Sequence, residues 1–248
     1  GLTLSESFTK GHEPRGSSST GYIEFFKNNN ASVSAFYQLV DRSKVQLDYT
    51  NSKYTFRDST FRNRDENLVA AYVYYRFLPK TSAFIEFDRK LVDFTQAAST
   101  LDNTMDSVLL GLTWEVTRRS KGTFKLGRTS KDFDSGGVRD LRLWSFSANL
   151  DHKLSEYTAA KLLGQRQPNE ANVAGTSYFI TTGGYGELSH KILRPLTLVA
   201  KGSYGHDVFS DPVAPETRVR EDRTISWGGG LKYAIQNWLE LGAEYGYR

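Results

Sequence analysis

Residues 65–90 read DENLVAAYVYYRFLPKTSAFIEFDRK and contain two runs in which apolar and polar side chains alternate on either side of a short turn. In the first run the odd positions from Val69 to Phe77 are apolar. In the second run the odd positions 83–87 are apolar, and the even positions 86–90 are charged. Successive side chains of a β-strand point to opposite faces, so a period of two predicts strands. The first run is long enough for a strand of about 40 Å, longer than most soluble strands.

The same alternation continues along the chain and predicts an all-β protein. Short polar turns recur about every 39 residues and alternate with longer polar loops, as in outer-membrane β-barrels. The turns lie near residues 42, 79, 120, 154, 193 and 236, and the loops around 54–64, 93–104, 134–139, 167–174 and 205–222. The pattern gives thirteen strands, whereas bacterial single-chain barrels have an even number. We therefore predict a transmembrane antiparallel up-and-down β-barrel of about 14 or more strands, in which residues 1–248 form a single domain lacking at least one terminal strand.

Aromatic residues on the apolar face occur near the strand ends, and aliphatic residues fill the strand centres. Near the short turns this face carries Tyr37, Tyr75, Phe77, Trp114, Phe124, Tyr233 and Trp238, and near the long loops Tyr204, Trp227, Tyr245 and Tyr247. Two aromatic girdles around an aliphatic band are typical of a surface that faces lipid. A soluble sandwich would place its largest rings in the middle of its core, so the distribution favours the membrane barrel.

The opposite face of the predicted strands is charged. It carries Lys44, Asp48, Arg76, Glu86, Asp88, Lys90, Glu115, Lys125, Lys131, Lys161, Lys201, Lys232, Glu240 and Glu244. A barrel of about 14 or more strands encloses a lumen wide enough to hydrate these groups, so we predict that they line a pore. Four aromatic residues share this face, namely Phe36, Tyr72, Tyr74 and Phe84. They are placed to stack on sugar rings, and wall packing between neighbouring strands is the alternative.

Composition excludes several other classes of protein. The chain has 248 residues and no Cys, which rules out disulfides, thiolate metal sites and a thiol nucleophile. Its longest apolar run, Leu68–Tyr75, is far below the ~18 residues of a spanning helix. The 32 Lys and Arg are interspersed with 28 Asp and Glu, so no nucleic-acid partner is expected.

No catalytic, cofactor-binding or metal-binding residues are expected in this chain. The four histidines, His12, His152, His190 and His206, are scattered without metal-ligand spacing. No G-x-S-x-G elbow occurs. An enzyme would require Ser, His and an acid to meet at one rim, and we predict that the protein is not an enzyme.

The layout resembles the beta-barrel porin type two family of proteobacterial outer-membrane proteins. The resemblance rests on the two-strand repeat, on the turn Leu78–Ser82 followed by an alternating strand, and on the strand Gly111–Trp114 that leads into the turn Thr117–Gly122. It implies a channel in the outer membrane of a Gram-negative bacterium, often associated with exopolysaccharide secretion loci. The implied partners are the lipid bilayer, periplasmic export machinery and polysaccharide, and no catalytic residues are implied.

The leading hypothesis is a porin-like channel that passes a polar solute, with polysaccharide export as its more specific form. One alternative is a structural or adhesive barrel, plugged by paired charges such as Glu86 and Asp88 against Arg76 or Lys125. Another is a porin sheath around a partner protein.

Overall fold

The computed structural model describes residues 1–12, 23–96, 99–117, 119–171, 175–212, 217–236 and 238–247. Within them, thirteen antiparallel strands pair in the order in which they occur along the chain. A 3-10 turn, Thr60–Arg62, lies between the third and the fourth strand. The strands are β1 Leu2–His12, β2 Phe25–Val40, β3 Ser43–Phe56, β4 Arg64–Leu78, β5 Thr81–Phe94, β6 Asn103–Thr117, β7 Ser120–Phe133, β8 Leu141–Lys153, β9 Thr158–Glu170, β10 Tyr178–Leu193, β11 Leu196–Pro212, β12 Val219–Gln236 and β13 Leu239–Tyr247.

The predicted all-β, up-and-down architecture and the number of strands seen in the sequence are confirmed for the described residues. Tight connections such as Pro79–Lys80 alternate with longer ones. The sheet runs continuously from β1 to β13, with these two strands at its edges. No helix in the described ranges is long and apolar enough to cross a bilayer.

Strand pairing continues into the polar sequence of several predicted loops, and two of them show this most clearly. The ladder between β11 and β12 extends as far as Pro212↔Val219, inside the loop predicted at 205–222. There the hydroxyl of Thr181 donates a hydrogen bond of 2.6 Å to Asp207 Oδ1. Similarly, β9 runs to Glu170, inside the loop predicted at 167–174. Hydrogen-bonded polar side chains thus prolong strands that hydropathy alone would end.

The pairing register places side chains on two distinct faces. We call them the apolar face and the charged face. The apolar face is open: Leu110 in the middle of β6 is 64% exposed, and its row contains Val73, Ile85 and Leu126. Exposed aromatic residues occur towards both ends of this face, namely Tyr37, Tyr75, Phe77, Phe124, Tyr233, Trp238, Tyr204, Trp227, Tyr245 and Tyr247. An exposed apolar surface of this extent is stable only when lipid covers it.

Side chains of strands that are not neighbours meet on the charged face. Lys125 of β7 reaches Glu86 of β5 across β6, and Lys201 of β11 reaches Glu244 of β13 across β12. Contacts that skip a strand on this face indicate that the charged face is the concave one. The buried residues Val92, Phe94, Leu141 and Leu143 lie near the long-loop ends of their strands, so the best-packed region is inside the curve of the sheet.

A charge placed on the apolar face should be far more costly than one placed on the charged face. We expect Leu110→Arg to lower the free energy of unfolding by about 2–4 kcal/mol, because the guanidinium would lie at the bilayer midplane. Unfolding in urea from phospholipid vesicles, followed by Trp fluorescence, measures this difference.

Ser147→Arg is the matched control, because Ser147 is exposed and opposes Lys125 on the charged face. Its cost should stay within about 0.5 kcal/mol. Equal costs for the two substitutions would contradict the assignment of the faces.

Candidate functional site

The register places all fourteen charged candidates on the charged face. They differ in their contacts. Lys125 Nζ lies 2.8 Å from Glu86 Oε1, and Lys201 pairs with Glu244. Lys90 and Lys131 join a buried cluster, which is described below. Arg76 instead donates to the backbone carbonyl of Asp41 beside a short turn, so it does not pair with Glu86 or Asp88. The candidates Glu115, Lys161 and Glu240 are exposed.

Three of the four candidate aromatic residues form a patch at the short-turn end of the charged face. Tyr72 and Tyr74 stack with their ring centroids 5.8 Å apart. Lys44 Nζ lies 4.1 Å from the ring centroid of Tyr74 and 5.6 Å from that of Phe36, and so links β2, β3 and β4. Phe36 is 46% exposed, and both tyrosines are half-buried. We call Phe36, Tyr72, Tyr74 and Lys44 the aromatic patch.

The fourth candidate, Phe84, is a packing residue of the wall. It is buried, and its ring lies 5.0 Å from that of Tyr74. The ring covers Gly111 on the next strand, where an added Cβ would lie 2.2 Å from Phe84 Cζ. Glycine therefore leaves room for the ring. Phe84 packs against Tyr74 of the aromatic patch, and its own ring is too buried to contact a solute.

A hydrogen-bonded strip of polar side chains adjoins the aromatic patch. Lys44 Nζ donates to Gln46 Oε1 at 3.0 Å, Gln46 Nε2 donates to Asp48 at 3.0 Å, and Ser34 Oγ donates to Asp48 Oδ1 at 2.5 Å. On the other side of the patch, the Tyr72 hydroxyl donates to Glu86 at 3.2 Å. The patch is thus an apolar surface bordered by donors and acceptors held in fixed positions.

A second aromatic cluster at the long-loop end was missed by the sequence analysis. The Arg62 guanidinium lies 3.9 Å from the ring centroid of Phe56, and the Arg64 guanidinium lies 4.3 Å from that of Tyr54. Phe26 packs against Phe56 at 6.2 Å. Tyr54 and Phe56 stand at even positions of β3, as Lys44 and Asp48 do. Extending the alternation along β3 would therefore have placed both rings on the charged face. The polar composition of residues 54–64 predicts a loop, whereas β3 continues to Phe56.

A buried cluster of charges also lies near the long loops. Glu66 accepts from Arg64 Nε at 2.7 Å and from Lys90 Nζ at 3.1 Å. Glu170 lies 2.6 Å from Lys131 Nζ and 3.5 Å from Lys90 Nζ. The side chains of Lys131 and Glu170 are 0% and 4% exposed. Lys90 and Lys131 were predicted as pore-lining, whereas their carboxylate partners were not predicted.

Glu24 anchors the connection between β3 and β4. Its carboxylate accepts hydrogen bonds from the N–H groups of Asp58 and Ser59, each at 3.0 Å, and from Ser59 Oγ at 2.7 Å. Burial alone would raise the pKa of the Glu24 carboxyl, but the hydrogen bonds from Ser59 and from the backbone outweigh burial and hold its pKa below the usual value. The anchor therefore requires the charged form of Glu24.

In the described part of the chain, no group of three or more His, Cys, Asp or Glu side chains is arranged to hold a metal ion. The geometry on the charged face can instead do two things. It can hold water and ions next to mixed charges, and it can offer aromatic faces beside hydrogen-bonding groups to a polar solute.

The family model described as "Putative beta-barrel porin 2" matches residues 2–248. The chain belongs to this beta-barrel porin 2 family. The family prediction from the sequence is thus confirmed, and with it the porin-like barrel and the location in the outer membrane of a Gram-negative bacterium. No curated protein matches the chain.

Solved outer-membrane proteins resemble this family member at low sequence identity. The KdgM porin is 12% identical with a TM-score of 0.36, over 95% of this chain and 99% of the other. A loop-deletion mutant of OmpT from Vibrio cholerae is 10% identical with a TM-score of 0.40, and the match covers 99% of this chain and 93% of the mutant. The copper transporter OprC is 12% identical with a TM-score of 0.47, over 99% of this chain and 51% of that one. The chain therefore spans about half the length of this transporter.

Replacing the Glu24 carboxylate should lower the free energy of unfolding at neutral pH and leave it unchanged at acidic pH. Because the pKa of Glu24 is lowered in the folded state, its stabilisation is present above the unfolded value near 4.5 and is lost as the pH falls through the folded value. We expect Glu24→Gln to lower the free energy of unfolding at pH 7 by about 1 kcal/mol, because the amide leaves donors unsatisfied.

Urea unfolding at pH 7 and at about pH 2 measures the effect, and the two proteins should converge at the lower pH. Glu156→Gln, in the exposed turn between β8 and β9, is the matched control and should behave as wild type at both values. A loss of stability in Glu24→Gln that does not depend on pH would contradict the anchor.

Proposed function

We propose that this porin is a conduit for a polysaccharide that crosses the outer membrane through its lumen. The observation that carries the proposal is the aromatic patch. Phe36, Tyr72 and Tyr74 present accessible ring surface on the concave face of the barrel, beside the polar strip of Lys44, Gln46 and Asp48. An aromatic ring exposed to water inside a pore is costly unless the solute covers it.

The patch matches the chemistry of a sugar chain. A pyranose ring has an apolar face of C–H groups and a rim of hydroxyls, so it needs a flat apolar surface next to hydrogen-bonding groups. The stacked tyrosines provide the flat surface, and Gln46, Asp48 and Lys44 provide donors and acceptors beside it. Short turns face the periplasm in such barrels, so the patch lies where an exported chain would enter.

The charged wall supports passage rather than tight binding. Positive and negative groups pair across strands, as in Glu86 with Lys125 and Glu244 with Lys201, so no single sign of charge dominates the inner surface. Conduction requires each site to bind weakly enough for the solute to leave. A hydrated wall of paired charges with a few stacking positions meets this requirement and needs no energy-coupling machinery.

Removal of a stacking ring should shorten the time for which a sugar chain occupies the pore. We expect Tyr74→Ala to weaken binding of a neutral oligosaccharide by about 1 kcal/mol, which reduces the residence time of each current block about fivefold. The measurement is single-channel current of the full-length protein in a planar bilayer, with oligosaccharides of increasing length added on the short-turn side.

Tyr75→Ala is the matched control, because Tyr75 is the next residue along β4 and faces lipid, with 52% exposure. Its current blocks should match those of wild type. Equal shortening in both variants, or an open channel that no oligosaccharide blocks, would contradict a polysaccharide conduit.

A structural barrel with a plugged lumen is the second candidate function. It is favoured by the ion pairs that cross the charged face, above all Glu86 with Lys125, in which the glutamate side chain is 3% exposed. A protein that inserts into the bilayer and stays electrically silent would support this candidate over the conduit.

A further inference from the structure

The hairpin of β9 and β10 separates from β8 before it ends, while β10 stays paired with β11 as far as Phe179↔Phe209. Pairing between β8 and β9 stops at Phe146↔Arg166, although β8 begins earlier, at Leu141. Pairing between β9 and β10 continues beyond that point as far as Tyr178↔Glu170. We call residues 167–171 and 178–181 the hairpin end. It remains paired internally and has lost its neighbour on the β8 side.

The alternation along β9 shows where the hairpin end goes. Leu162, Gly164 and Arg166 have the parity of the apolar face, since Leu162 opposes Leu150 and Arg166 opposes Phe146. The register with β10 has no bulge, so Glu170 has this same parity. Yet the Glu170 side chain contacts Lys131 and Lys90, which belong to the charged face of β7 and β5. The outer side of the hairpin end is therefore covered by the inner side of the wall, and the hairpin end lies inside the lumen.

Several contacts hold the hairpin end in this position. Glu170 pairs with Lys131 at 2.6 Å and accepts a hydrogen bond of 3.2 Å from Asn103 Nδ2. The ring of Tyr178 stacks on that of Phe133, with centroids 6.1 Å apart. Leu141 and Leu143 are buried on the strand that the hairpin end has left. Burial at this level shows a packed interface, because a wall residue facing an empty lumen would be exposed.

The sequence of β9 favours the separation. Pro168 comes two residues after the last β8–β9 pair and is buried. Proline has no N–H to donate, and it is found in sheets at positions where one side of the strand has no ladder partner. The separation from β8 at this point is consistent with that preference.

We propose that the hairpin end is the constriction of the channel and that Glu170 holds it in place through Lys131. This inference rests on the proposed function, since it assigns the narrowest part of the conduit. The side of the hairpin end turned to the open lumen carries Asn169, which donates to Thr181 Oγ1 at 2.8 Å, and Thr181, which donates to Asp207 of β11. Phe179 shares this side and stacks on Phe209 of β11, with ring centroids 5.3 Å apart. The constriction thus presents hydroxyl, amide and carboxylate groups beside an aromatic pair, which suit an uncharged or cationic polar chain better than an anionic one.

The decisive experiment removes the hairpin end, together with the pairs Phe179↔Phe209 and Ile180↔Val208 that it makes with β11, and keeps the ladders below it. Gln167 and Thr181 are paired residues, so an Asn-Gly turn that joins them in place of residues 168–180 closes a shorter hairpin. In full-length protein in planar bilayers, we expect the single-channel conductance to rise about twofold, since it follows the open cross-section. The largest neutral polymer that enters should also increase in size. Wild-type values for both quantities would overturn the proposal.

A point substitution tests the role of Glu170. Glu170→Gln leaves Lys131 without its buried counter-charge, so the hairpin end should detach and conductance should rise or fluctuate between two levels. Glu221→Gln is the matched control, because Glu221 pairs with Arg223 on the outer side of β12 and does not touch the hairpin end. A steady wild-type conductance in Glu170→Gln would show that Glu170 does not hold the hairpin end in place.

Crosslinking shows whether the hairpin end is inside the lumen in the membrane, independently of conductance. The chain contains no cysteine, so Phe133→Cys with Tyr178→Cys creates the only thiol pair. A short bifunctional thiol reagent should link the two positions in protein that has inserted into the membrane. Failure to link them would contradict the position of the hairpin end.

The outcomes also separate this inference from the proposed function. A wild-type channel that oligosaccharides block, with a polymer limit that the shortened hairpin leaves unchanged, would refute the constriction and retain the conduit. A shortened hairpin that conducts freely but is never blocked by oligosaccharides would retain the constriction and refute the conduit.

Discussion

Inside a bilayer no water is present to bind backbone N–H and C=O groups, so strands must satisfy these groups on one another. Each strand from β2 to β12 pairs with the strands before and after it in the chain, so strand order in the sheet follows chain order from β1 to β13. Pairing in turn fixes each side chain on one of two faces. The lipid-facing band, the charged inner wall and the aromatic patch are all consequences of that pairing.

The period of two was sufficient to predict the strands and their faces. It placed Lys44, Tyr72 and Tyr74 on one face, and the structure brings them together. Alternation predicts the face on which a side chain lies. It does not predict how deeply that side chain is buried, because burial depends on the residues of the neighbouring strand. Phe84 has the parity of Tyr72 but is buried, since Gly111 on the adjacent strand leaves a space that its ring fills.

The residues that the sequence analysis missed act through contacts between distant segments. Glu24 binds backbone groups at Asp58 and Ser59, and Glu170 binds Lys131. Hydropathy assigned Glu170 to a loop because polar residues usually end a strand. Its strand continues because the surrounding residues are themselves charged and the hairpin lies in the lumen. Carboxylates of lipid-facing parity in the wall, such as Glu221, are exposed, whereas Glu170 is buried, and it is this burial that marks a strand that has left β8.

The position of the hairpin end also has a consequence for the order of folding. Each strand of the wall pairs with its neighbour in sequence, so the wall forms through comparatively local contacts. Asn103 and Glu170, by contrast, are 67 residues apart. Contacts of high sequence separation form slowly, because loop-closure entropy must be overcome first. The hairpin end can dock only after β5–β7 have provided the inner surface that receives it. Until then, Glu170 and the apolar side chains of Leu141 and Leu143 are exposed, and the barrel is most vulnerable to aggregation at this stage.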